Sequence, residues 1–386
     1  MAPQQQKEWI SKLPRQGTNI FSQMTSLAQK HQAINLAQGF PDYPVDSKLL
    51  DLVSSAMHQQ ANQYAPMPGI PLLRQRIAEK YQSFYDIHVD PESEITITNG
   101  ATQGIFTTIA TIIHPGDEVI IFEPAYDCYR PTVELFGGKV IAVQLSAPDF
   151  SIDWQQVADL VSDRTRMIII NNPGNPSCVA WTTDDLLQLQ TIVVRNGLFV
   201  LSDEVYEHLI YDEKQHQSAV LFNDLRAHSF VVASFGKLLH CTGWKLGYVI
   251  APLALTAEFR KIHQQNVFSV NTPMQHAIAK YLDNPDYYQE LSQFMQKKRD
   301  VVMEGLASSR FEIVPSSGTY FLLLNYSAIS HQSEMDFALH LIEKYGVALI
   351  PLAPFYDNGM EQQTLRLCFA KKDETLERAI QILNTI

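Results

Sequence analysis

Lys237 carries the most direct chemistry in this sequence. It lies in Ser234-Phe-Gly-Lys237, after the apolar run Phe230 to Ala233 and ahead of a second run, Leu246 to Ile250. Short apolar runs bounded by loop residues read as buried strands. A lysine at a strand-to-loop junction can stand at the floor of a cleft, where its amine can attach to an aldehyde carbonyl. Ser234 precedes it by three residues, and Lys245 follows it by eight in Thr242-Gly-Trp-Lys245. A hydroxyl and a second cation so placed can hold a phosphate. A bare Gly-Lys pair equally describes a solvated loop lysine, so the other parts of such a site must come from elsewhere.

Those parts are spread along the chain. Leu198 to Tyr206 is an apolar strand ending on Asp203 and Tyr206. An ionised Asp at a buried strand end needs a positive partner, while a helix N-cap or surface position is the plainer alternative. Lys237 follows Asp203 by 34 residues, after one more helix-and-strand interval. Asn171-Asn-Pro-Gly-Asn-Pro-Ser177 is a loop stiffened by two Asn-Pro steps, which can aim the Asn175 amide at a ligand or simply make a turn. Glu94 to Gly104 reads as a strand, a glycine turn at Gly100 and a helix start, either an anion cup or a tight turn. It lacks the Gly-x-Gly-x-x-Gly of a dinucleotide site. Gly236-Lys237 is no P-loop, since Val231 stands at the upstream glycine position and Leu238 at the Ser/Thr position. Tyr126 follows the strand Val119 to Phe122, where open α/β sheets place ligands. Gly39, in Asn35-Leu-Ala-Gln-Gly-Phe-Pro-Asp42, marks a bend where backbone can approach a ligand, or a plain turn. Tyr64 lies in a Pro/Gly-rich loop. Arg366 lies inside the apolar run Thr364 to Phe369, where it is edge-exposed or aimed at an anion.

The elements that must position these residues follow from hydrophobic spacing. Ile20, Phe21, Met24 and Leu27 have helical spacing, as does Leu72 to Tyr81. Lys139 to Leu145 and Thr165 to Ile170 read as strands. From about Asn271 the pattern changes to long helical segments ending near Ser309. Strands at 311–314, 320–324, 347–350 and 365–369 and a helix at 333–345 follow, the helix opened by Ser333 and Asp336 and closed by Gly346. This is a second, smaller α+β domain. At 386 residues the chain suits two domains, and we expect an N-terminal segment over 1–45, a large domain over 46–275 and a small one over 276–386. The boundary is expected inside a long helix.

Composition excludes several classes. A net charge of −12 argues against a nucleic-acid surface. The four cysteines are scattered, so neither a zinc site nor any other metal site is expected. No apolar run approaches about 18 residues and the start lacks a signal-peptide core, so we expect a cytoplasmic protein with no membrane partner.

Taken in order, these segments resemble the class I/II aminotransferases that use pyridoxal 5'-phosphate (PLP) in the fold type I architecture. The resemblance runs from about Leu13 to the C-terminus. It rests on Asn35-Leu-Ala-Gln-Gly-Phe-Pro-Asp42, Glu123-Pro-Ala-Tyr-Asp-Cys-Tyr129, Ser202-Asp-Glu-Val-Tyr206, Ser234-Phe-Gly-Lys237, Thr242-Gly-Trp-Lys245 and Arg366-Leu-Cys-Phe-Ala370. Within the family the pattern is similar to the kynurenine and glutamine–phenylpyruvate branch, and most of all to the bacterial methionine aminotransferase type. The resemblance implies an α/β fold: a large domain with a mostly parallel seven-stranded sheet between helices, plus the small α+β domain. It implies that Lys237 is the covalent anchor, that Asp203 pairs with the pyridine nitrogen, and that Asn175 and Tyr206 bond the ring hydroxyl. With Lys237 and Asp203, Tyr206 completes the catalytic set. Tyr126 would stack on the ring. Backbone at Ala101 and Thr102, with Ser234 and Lys245, would hold the phosphate. Tyr64 would reach the phosphate of the other subunit of a homodimer. Arg366, Asn175 and backbone at Gly39 would hold the substrate carboxylate, and Phe21, Tyr64, Tyr126 and Phe268 would line the substrate side. The activity implied is transfer of an amino group from methionine or an aromatic donor, with glutamine and histidine as further donors, to a 2-oxo acid. Alternatives are a cysteine-conjugate β-lyase and a non-catalytic ligand sensor. Cys178 departs from the glycine usual after Asn-Pro-Ser, and Leu238-Leu239 from the usual Thr-Tyr pair.

Overall fold

The computed structural model of the protein describes residues 10–386. Among them are thirteen strands: β1 (Ile34–Asn35), β2 (Ile95–Thr98), β3 (Glu118–Glu123), β4 (Lys139–Gln144), β5 (Thr165–Asn171), β6 (Phe199–Asp203), β7 (Ser229–Ser234), β8 (Gly247–Ile250), β9 (Glu312–Val314), β10 (Phe321–Asn325), β11 (Val347–Ala348), β12 (Ile350–Pro351) and β13 (Thr364–Cys368). The main sheet has seven strands in the order β2-β8-β7-β6-β5-β3-β4. Strands β7, β6, β5, β3 and β4 run parallel, and β8 runs antiparallel to both neighbours. This is the expected mostly parallel sheet.

Its strands are apolar throughout because both faces are covered. Alternate residues serve opposite sides. On β3, Ile120 and Phe122 join one core while Val119 and Ile121 join the other; on β5, Ile168 and Ile170 oppose Met167 and Ile169. The helix Gly100–Ile112 packs on one face, backed by Leu253–Asn266. The helix Thr183–Asn196 covers the other face. Thr182 and Asp185 cap its start reciprocally and Gly197 ends it in the left-handed region.

The second sheet, β12-β13-β10-β9, is antiparallel. A short parallel pair, β1 with β11, ties residues 34–35 to this C-terminal part. The run 347–350, expected as one strand, is two: β11 pairs with β1 and β12 with β13, with Leu349 between them. A bare apolar run cannot show that its halves find different partners. The helix over 333–345 is α-helical at Glu334–His340 and widens to a π turn at Leu341–Tyr345, closed by Gly346. Between Asp203 and β7 only short helical turns occur, Ala219–Leu221 and Asn223–Arg226. The expected boundary at 275/276 falls inside the helix Thr272–Tyr281, which packs on Ser47–His58 and Pro71–Tyr85. Among the described residues no helix is long and apolar enough to cross a membrane.

A buried ionic cluster braces the chain just past β6. Lys80, on the helix Pro71–Tyr85, pairs with Glu207, and both are buried. Tyr85 and Tyr248 donate to the same carboxylate at 3.1 and 3.0 Å. Burial works to raise the Glu207 pKa, but Lys80 overrides it and holds the carboxyl down to about 2. Removing one partner of such a pair costs about 3–5 kcal/mol, whereas replacing both with apolar groups can be neutral. Lys80→Met should lose stability on that scale in denaturant titration. The double variant Lys80→Met/Glu207→Leu should recover much of it; a single variant as stable as wild type would contradict this account.

Candidate active site

A cavity of about 310 Å³ opens at the carboxyl ends of the parallel strands, between the main sheet and β10/β13. Strand ends supply most of its chemistry: Asn171 from β5, Asp203 from β6, Ser234 from β7 and, three residues past the end of β7, Lys237.

One end suits a phosphate. The helix Gly100–Ile112 begins here with no side-chain cap, so its first N–H groups are free and its dipole points into the cavity. Gly100, at φ +74°, makes the turn, and a Cβ there would lie 3.3 Å from Lys245 Cε. Ala101, Thr102, Ser234 and Lys245 all line this end.

The floor holds Asp203, Tyr126, Tyr206 and Asn175. Asp203 is buried; Tyr129 donates to one oxygen at 2.5 Å and the Val205 N–H to the other at 3.3 Å. Burial pushes its pKa up to about 6 against the Tyr129 hydrogen bond. No cation makes an ion pair with it among the described residues, so it is a buried acid suited to a ligand cation.

Lys237 sits in the short turn Phe235–Leu238 that follows β7. Its Nζ donates to the Tyr320 hydroxyl at 2.6 Å and to the Gly39 carbonyl at 3.3 Å. Burial brings its pKa down to about 8, Arg366 and Lys245 helping while Cys368 and Asp203 oppose. A neutral amine is therefore accessible near physiological pH. Leu238 and Leu239 turn into the core, so the unusual pair does not shape the cavity.

The far end suits a carboxylate. Arg366 is fully buried on β13, a strand flanked by β10 and β12, so the edge-exposed reading is excluded. Its Nη1 donates to Asn175 Oδ1 and its Nη2 to the Ala37 carbonyl at 3.2 Å, but its Nε has no partner. The guanidinium lies 3.8 Å from the Phe321 ring centroid and 5.3 Å from that of Phe21. A buried guanidinium with one orphan N–H and, among the described residues, no carboxylate in an ion pair with it fits an incoming anion. The Gly39 bend packs directly on Phe321, 2.6 Å from where a Cβ would sit.

Twelve of the fourteen residues expected at the site line this cavity: Lys237, Asp203, Tyr206, Asn175, Tyr126, Phe21, Gly39 and Arg366, and with them the phosphate-end Ala101, Thr102, Ser234 and Lys245; Tyr64 and Phe268 do not. Those two stand 83% and 46% exposed, their rings paired at 5.6 Å on the surface. Sequence reasoning assigned no role to Tyr129, although its motif was quoted, and it missed Tyr320 and Phe321. A polar ring three residues past Tyr126 was a usable signal for Tyr129; nothing local marks Tyr320. Cys178 takes φ +63°, a left-handed conformation that favours glycine. The conformation costs roughly 1 kcal/mol and is held by Ser317 N–H on the Cys178 carbonyl at 3.0 Å.

An amine, a buried acid, an uncapped helix start and an aromatic ring, Tyr126, in one cavity fit PLP by their donor set. Comparison with known proteins agrees. The profile of aminotransferase class I and II matches residues 31–383. A methionine aminotransferase of Escherichia coli is 45% identical over 97% of this chain and 98% of its own. Its solved structure superposes with a TM-score of 0.96 over 98% of this chain and 100% of that one. The structure of an N-succinyldiaminopimelate aminotransferase from Mycobacterium tuberculosis, 34% identical, superposes at 0.94 over 98% of this chain and 100% of that one. A kynurenine–oxoglutarate transaminase of Mus musculus is 30% identical over 95% of this chain and 87% of its own. On sequence and fold alike, this chain belongs to the class I and II aminotransferase family.

Proposed function

We propose that the protein is a PLP-dependent aminotransferase that moves the amino group of methionine or an aromatic amino acid, with glutamine and histidine as further donors, to a 2-oxo acid. The observation that carries this reading is the convergence of Lys237, Asp203 and Arg366, from the turn after β7, from β6 and from β13, on one cavity. When bound, PLP supplies an electron sink for the charge left by breaking the bond between substrate Cα and hydrogen. The chain's residues do the rest. Lys237 holds the cofactor through its amine and, once freed, takes and returns the Cα proton. Asp203 keeps a proton on the ring nitrogen. A charge pair about 4 Å apart is worth about 4 kcal/mol at an effective dielectric of about 20. Tyr206 and Asn175 would hold the ring hydroxyl, and Tyr126 would cover the ring's face. Arg366 offers a planar fork that matches the α-carboxylate shared by amino and keto acid.

Substrate choice follows from the cavity walls and the relatives. Phe21, Tyr126 and Phe321 make an aromatic lining that suits thioether and aromatic side chains. Lys237, Lys245 and Arg366 are the Lys/Arg residues lining it, and each has a role already, so no cation is left for a second carboxylate. The 45% identity to a methionine aminotransferase supports the same choice.

The functional unit in this reading is a homodimer. Tyr64, exposed and outside its own cavity, would reach the phosphate of a second copy, and Phe268 beside it would face that copy's substrate. The N-terminal segment and the part after residue 275 would form a unit able to shift against the main sheet.

Three measurements test the reading. In a panel of donors against one keto acid, methionine and aromatic amino acids should give the highest kcat/KM; aspartate as the best donor would overturn the pocket assignment. Asp203→Ala should lower kcat by up to about 1000-fold with a smaller loss of cofactor affinity; equal turnover at saturating PLP would refute its role. Capture of PLP by Lys237 needs the neutral amine, so its rate should rise with pH through about 8 and then level off. A rate that keeps climbing to the ordinary lysine range, above about 10, would contradict the buried amine.

A further inference from the structure

One buried hydroxyl beside Lys237 has no place in that scheme. Tyr320, the residue before β10, is buried beside the cavity. Its hydroxyl donates to the Gly39 carbonyl at 2.5 Å and accepts from Lys237 Nζ at 2.6 Å. The same amine donates to the Gly39 carbonyl at 3.3 Å, so the three atoms close a triangle. The ring is held independently, edge-on to Tyr206 at 5.2 Å and to Phe321 at 4.8 Å. Burial raises the phenol pKa well above its ordinary value, so the hydroxyl acts as a neutral donor and acceptor.

A neutral amine has two N–H groups and one lone pair. Here the phenol oxygen and the Gly39 carbonyl take both N–H groups. The remaining direction belongs to the lone pair, the part that accepts a proton. We propose that Tyr320 is a positioning residue for Lys237: with the Gly39 carbonyl it holds the two N–H groups of the free amine and leaves the lone pair for the substrate. Because Gly39 forms the N-terminal bend near Arg366, the hydroxyl also links the amine to the segment that meets the substrate carboxylate. This rests on the aminotransferase reading, in which Lys237 is the working amine.

Tyr320→Phe removes the hydroxyl and keeps the ring. The first readout is the pH dependence of Lys237 modification by an amine-reactive ester in the full-length protein stripped of PLP, followed by peptide mass spectrometry. Wild type should show a midpoint near 8. The variant should move to lower pH by roughly 0.5 or more, because the ammonium form loses an acceptor. The second readout is steady-state kinetics of the holoenzyme with methionine. Here kcat should fall about 10-fold or more while KM changes less than about threefold, the pattern of a misoriented group rather than lost binding. An unchanged midpoint overturns the proposal, whether kcat is retained or falls together with thermal stability, since the latter marks a packing role. Lys237→Ala separates the two claims. If it still transaminates, the assignment of Lys237 as the working amine falls and this proposal with it; if it is inactive while Tyr320→Phe matches wild type, only the positioning role falls.

Discussion

Taking one amine out of water sets the terms for the rest of the site. An exposed lysine is almost wholly protonated at neutral pH and cannot attack a carbonyl. Lys237 lies behind the sheet's carboxyl edge among Tyr206, Tyr320 and the Gly39 bend, where burial disfavours the ammonium form. That burial is possible only because β7 ends there and the chain between Ser234 and Lys245 folds back against the start of β8.

Charges placed around the amine then divide the cavity. At one end a helix terminus and Lys245 suit a phosphate; at the other a buried guanidinium suits a carboxylate. Asp203 sits between them with no ion-pairing cation among the described residues, held by the Tyr129 hydroxyl. A phosphate-bearing aldehyde and an amino acid are both anionic, and in the proposed reading each would find its own counter-charge, with their reactive ends brought to one lysine. The protein's net charge of −12 therefore says little about this cavity, which is locally basic.

The same burial makes the surroundings demanding. Asn175 accepts from Arg366 and belongs to the loop whose next turn contains Cys178 in a left-handed conformation. Ser317 and Gly318, from the C-terminal part, donate to the Cys178 carbonyl. The loop that aims the amide is thus fixed from across the molecule, and the strain of a non-glycine residue there is carried by that contact.

Much of this was legible in the residues. Short apolar runs marked the central strands, because a sheet covered on both faces needs apolar side chains on both. The strand ends marked Asp203 and Lys237, because a polar group that closes an apolar run must lie at its rim. Motif order along the chain brought in Arg366, whose own surroundings allowed an exposed reading. What the residues could not decide were matters of pairing between distant segments. Whether 347–350 is one strand or two depends on β1 and β13; whether Arg366 is buried depends on β10 and β12 lying on either side of it. Tyr129 and Tyr320 are ordinary tyrosines in the sequence. They acquire a partner only when strands 74 and 83 residues away place a carboxylate and an amine within hydrogen-bond reach, and a contact of that separation leaves no local pattern.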